Sequence, residues 1–87
     1  MLTEEKRRKI FAAYVEIARD CRRENHRSQS QVAQRMDIST QHVSSLEGNQ
    51  RVGAMETIIA LCAASGVKKE TVNRFVAEIL AEEEWEE

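Results

Sequence analysis

The sequence predicts an all-α fold, a compact domain of five helices around one small core. Three observations carry that expectation. Apolar residues make up 41% of the chain but aromatic residues only 5%, so the large flat side chains that favour a sheet are scarce. Proline is absent and glycine occurs three times, which leaves too little turn chemistry for a series of hairpins. Apolar residues also recur at three- and four-residue spacing in successive stretches, the mark of helices that each bury one face. A length of 87 residues fits a single domain spanning 1–87, long enough to bury a core but small enough that oligomerisation would help it.

The first helix opens at Thr3, an N-cap residue, with Glu4 and Glu5 in the first turn, where negative charge suits the helix dipole. Ile10, Phe11, Tyr14, Val15, Ala18 and Cys21 then mark its buried stripe as far as about Asn25. The run Lys6-Arg7-Arg8-Lys9 covers its start and reads equally well as a solvated face or as a phosphate contact. Asn25-His26-Arg27 ends this helix, and Ser28 caps a second one over Gln29–Met36, with Val32, Ala33 and Met36 facing inward. Asp37-Ile38-Ser39 makes a turn to a third helix, Thr40–Glu47. Asp37 and Asn49 suit abrupt helix ends because Asp and Asn tolerate a left-handed backbone better than other non-glycine residues. Met55, Ile58, Ile59 and Cys62 form a fourth stripe closed by Gly66, with Val67 packing back on the core. A fifth helix from residue 69 to about 83 or 84 carries Val72, Phe75, Val76, Ile79 and Leu80 and leads into an acidic tail.

The stretch from Ser28 to Arg51 has the spacing of a helix-turn-helix, two short helices joined by a turn that lets them cross steeply. At about 100° per residue, Val43 and Leu46 of the third helix fall on one side, and Gln41, Ser44 and Ser45 on the other with Thr40 beside them. That outer side is short, uncharged and rich in hydrogen-bonding groups, as an approach to base edges in a major groove requires. The formal charge of −2 hides a polarity. Residues 1–51 hold ten Lys/Arg against seven Asp/Glu, and 52–87 hold three against eight, so the basic half contains the two short helices.

Cys21 and Cys62 both fall on apolar stripes, and with no signal peptide or long apolar run they read as reduced core thiols of a cytoplasmic protein. Cys21, His26, His42 and Cys62 are too scattered for a zinc site, and no cofactor is expected. Nor is catalysis, because Ser44 and Ser45 have no positioned base and there is no glycine-rich loop.

The order Ser28-Gln29, Val32-Ala33, Met36, Ile38-Ser39, Val43, Leu46-Glu47, Leu61 and Gly66-Val67 resembles the lambda repressor-like (Cro/C1, or XRE-type) helix-turn-helix family over about residues 10–75. The resemblance implies a five-helix DNA-binding domain that acts as a dimer on a palindromic operator and reads the major groove with its third helix. It implies further that Gln29 bonds a phosphate and braces the first recognition residue, and that Thr40, Gln41 and Ser45 read bases with Ser44 between them. Asn49, Gln50 and Arg51 match the loop that follows the backbone, Ser28 and His42 join the DNA-facing set, and Arg22 and Glu47 match a structural ion pair. The chain departs from the family pattern in four ways. Asp37 and Asn49 replace common glycines, Arg27 replaces an apolar residue, and no strong N-cap precedes the fourth or fifth helix at Ala54 or Lys68. The third helix also lacks Arg and Lys, so phosphate attraction would come from Arg27, Arg35, Arg51 and the Lys6–Lys9 run.

The expected function is therefore a sequence-specific transcriptional regulator of phage, plasmid or mobile-element type, binding double-stranded DNA. A controller protein of a restriction-modification system, an antitoxin with a toxin as protein partner, and a protein-interaction domain that does not bind DNA are the alternatives. The dimer is expected to form through Ile79, Leu80 and Trp85 of the fifth stripe, with Phe75 and Val76 as its intrachain contacts.

Overall fold

Each helix starts where the chain supplies an extended residue ahead of it. Thr3 Oγ1 accepts from the Lys6 amide and opens α1, Glu4–Glu24. Ser28 opens α2, Gln29–Met36, with a reciprocal capping box: its Oγ accepts from the Gln31 amide at 3.0 Å while Gln31 Oε1 accepts from the Ser28 amide at 2.7 Å. Ser39 Oγ accepts from the His42 amide and opens α3, Thr40–Glu47. Then α4, Met55–Ser65, and α5, Lys69–Glu82, begin after Ala54 and Lys68 without a side-chain cap. The computed structural model describes residues 1–49 and 53–83, and within them the ordered elements are these five helices, with no strand.

The first four helices end at or next to a residue with left-handed backbone. Asp37 and Asn49 both take φ of +56°, and Gly66 takes +90°. His26, at +54°, does the same in the connection from α1 to α2, a position that its sequence does not announce. At Gly66 the φ calls for glycine, and a Cβ atom would stand 2.4 Å from Asn25 Nδ2 and 3.0 Å from Arg27 Nη1, so these two side-chain ends would have to shift. Those neighbours close the α4 terminus: Asn25 Nδ2 donates to the Ser65 carbonyl and Arg27 Nη1 to the Ala64 carbonyl at 2.8 Å.

Val15, Ala18, Val32, Val43, Leu46, Ile58, Leu61, Cys62 and Phe75 form the centre of the core, where α1 and α4 meet and the pair α2 and α3 closes one side. On another side α5 runs antiparallel to the first part of α1. Phe75 packs edge-on to Phe11 with centroids 5.5 Å apart and lies 4.7 Å from the Tyr14 ring, and further along Glu82 accepts from Lys6 Nζ. Ile79 does not fit the expected dimer surface, since it is only 6% exposed and belongs to the core of its own chain. Leu80 points outward and is 45% exposed, and Trp85 lies outside the described residues. Among the described residues no helix is long and apolar enough to cross a membrane.

Candidate nucleic-acid interface

The outer face of α3 follows from what its inner face must do. Val43 and Leu46 are buried, which turns Thr40, Gln41 and Ser44 to solvent and leaves His42 and Ser45 half-buried at the edges. Ser39, Gln41, His42 and Ser45 line a shallow polar depression. Asn49 is exposed just past the helix end, and Gln50 and Arg51 lie outside the described residues. Ser28 is exposed at the start of α2, with its hydroxyl oxygen already engaged as the cap.

The floor of this face is an ion pair. Arg22 of α1 donates from Nε to Glu47 Oε2 at 2.6 Å and from Nη2 to Oε1 at 2.9 Å, the forked geometry that suits guanidinium and carboxylate. Its remaining nitrogen, Nη1, donates to the Arg27 carbonyl at 3.0 Å. Gln29 Nε2 adds a bond to Glu47 Oε1 at 3.1 Å, which engages one of the two donors of this amide. The network joins α1, the α1–α2 connection, α2 and α3 at one buried carboxylate. Burial works against the ionised carboxyl, but hydrogen bonds from Arg22 and Gln29 and the charges of Arg22 and Arg23 outweigh it and hold the Glu47 pKa below the ordinary range.

The cations around the face differ in how free they are. Arg27 is half-buried and caps the α4 terminus through Nη1, which engages part of the guanidinium within the chain. The basic run of α1 has partners within the chain: Lys6 with Glu82, Arg8 with Glu4, Lys9 with Glu5, and Arg7 over the Phe11 ring at 4.4 Å. The three ion pairs are exposed and weak, worth about 0–1 kcal/mol each. Arg35 is exposed near the end of α2. Arg19 and Arg23, which the sequence did not single out, line a cleft with Gln29, Ser44, Glu47 and Gly48. The signal was available, since Arg19 and Arg23 are four residues apart and so share one side of α1.

Elsewhere the chemistry is quiet. Burial pushes the Cys62 thiol up to about 11, with the nearby Cys21 adding to the shift, and its Sγ faces the Tyr14 carbonyl at 3.8 Å. Among the described residues no three His, Cys, Asp or Glu side chains gather in a metal-binding arrangement. Comparison with known proteins finds no family model, no curated protein and no solved structure that matches this chain.

Proposed function

We propose that this protein is a sequence-specific DNA-binding regulator that inserts α3 of a helix-turn-helix, formed by α2 and α3, into the major groove. The observation that carries the reading is the exposed, uncharged face of Thr40, Gln41 and Ser44 on a helix whose far end is clamped by the buried Arg22–Glu47 pair. Base readout needs donors and acceptors at fixed positions, and a helix tied to two others through one carboxylate holds them with little freedom. With no Arg or Lys on α3, specificity rests on polar contacts to base edges, while general affinity comes from cations on the flanking elements and falls with salt.

Selection of binding sites from a random duplex pool tests this directly. Enrichment of one consensus, followed by retarded migration of that duplex and of the DNA upstream of the gene itself, is the expected result. A consensus with two half-sites one turn apart, about 34 Å, would require two copies of the chain on one side of the duplex. No enrichment, at low as well as moderate salt, would leave the reading without support.

A further inference from the structure

We infer that the cleft between α1, the start of α2 and the end of α3 seats a phosphodiester group of the DNA backbone, with Arg19 and Arg23 as its ligands. The inference rests on the DNA-binding reading above and adds to it a contact on α1. The cleft, about 220 Å³ in volume, is lined by Arg19, Arg23, Gln29, Ser44, Glu47 and Gly48. Its one acid is already neutralised, because both oxygens of Glu47 accept from Arg22 and one also accepts from Gln29. What faces an incoming group is thus the charge of two guanidinium groups. Arg19 Nε is buried with no hydrogen-bond partner among the described residues. The nearest carboxylate, Asp20 Oδ1, stands 4.0 Å away, too far to accept, while the Arg19 side chain remains 33% exposed. Nε itself is closed to solvent, so what an anion entering from the open side would meet is the exposed third of the Arg19 side chain together with the exposed Arg23.

Two further features select a phosphate beside α3. The wall at Gln29 is the first residue of α2, an eight-residue helix whose positive end favours an anion. Ser44 belongs both to the cleft and to the exposed face of α3, three residues on from Gln41, so a phosphate held here lies next to the bases that Gln41 would reach. The cleft therefore sets the depth at which α3 enters the groove, and Arg19 and Arg23 position the protein without reading sequence.

The test measures affinity against salt concentration by fluorescence anisotropy, on the selected duplex and on a random one, for the full chain, Arg19→Gln, Arg23→Gln and the double variant. The double substitution, which removes both ligands of the one phosphate, should make the slope of log affinity against log salt shallower by about 0.9, and each single substitution by part of that, with equal fractional loss on both duplexes. Partial unfolding would lower affinity at every salt without changing the slope, so a merely structural role does not reproduce this result. Arg74→Gln on α5, which removes the same charge away from the cleft, should leave the slope as it was. Unchanged slopes in the Arg19 and Arg23 variants, or an equal change in Arg74→Gln, would overturn the cleft and leave DNA binding standing. A wild-type chain that binds neither duplex would overturn both.

Discussion

All three guanidinium nitrogens of Arg22 are committed, two to Glu47 and one to the Arg27 carbonyl, so truncating either partner leaves a charge in a place built for two. Arg22→Met and Glu47→Leu should each destabilise the fold by about 3–5 kcal/mol, and the double variant should cost less than the two added together. Denaturant titrations of the four proteins measure the coupling, and strict additivity would mean that the pair contributes nothing jointly. The same contact sets an acid limit. Glu47 has its pKa lowered in the folded chain, so its contribution is present above the ordinary glutamate value of about 4.3 and is lost as pH falls below it. Between pH 5 and pH 3 the wild type should therefore lose more stability than the Arg22→Met, Glu47→Leu double variant. Gln41 is the residue through which readout can be tested. If its exposed amide bonds a base edge, Gln41→Ala should cost about 1–3 kcal/mol on the selected duplex and much less on random DNA. An equal loss on both would assign Gln41 to the backbone.

At the scale of elements, the helices divide into those with side-chain caps and those without. Ala54 has φ −68° and ψ 157°, close to the −77° and 161° of Ser28, yet offers no oxygen to the first turn of α4. Ala54→Ser should accordingly add about 0.5–1.5 kcal/mol, seen as a higher denaturation midpoint with an unchanged slope. The opposite end of α4 allows no such freedom. Gly66→Ala combines a left-handed φ with a Cβ 2.4 Å from Asn25 Nδ2, and should cost more than the roughly 1 kcal/mol of an unhindered left-handed alanine. It should also disturb Arg27, whose guanidinium caps the same terminus. A Gly66→Ala variant as stable as wild type would show that Asn25 and Arg27 move aside without cost.

Over the whole molecule, the decisive arrangement is α5 lying antiparallel on α1. It takes Phe75 and Ile79 into the core and leaves Leu80 on the outside. Ile79→Ala should cost about 2–4 kcal/mol, whereas Leu80→Ala should change stability by no more than about 0.5 kcal/mol. Urea unfolding of both variants gives the comparison, and similar losses at the two positions would mean that α5 does not sit on α1 in this register. Cutting the chain after Glu78 should for the same reason unfold it, and not release a stable half of a dimer.

Taken alone, the sequence determined the helices and their faces: the caps at Thr3 and Ser28, the abrupt ends at Asp37, Asn49 and Gly66, and the inward sides of α2 and α3 all follow from local chemistry and a period of 3.6 residues. Local rules reach a few residues along the chain, so they also give the outer face of α3 once Val43 and Leu46 are known to be buried. Only the tertiary structure decided which long side chains are free. Arg27, a free cation by its sequence, donates a bond to the end of α4, 37 residues away, and Gln29 donates one to Glu47. Ile79 and Leu80 are adjacent and almost equally apolar, yet which of them is covered depends on where α1 lies and not on either residue. Arg19 and Arg23 become neighbours of Ser44 only when α1 crosses the end of α3, since a helix period specifies a direction and packing alone specifies what stands in that direction.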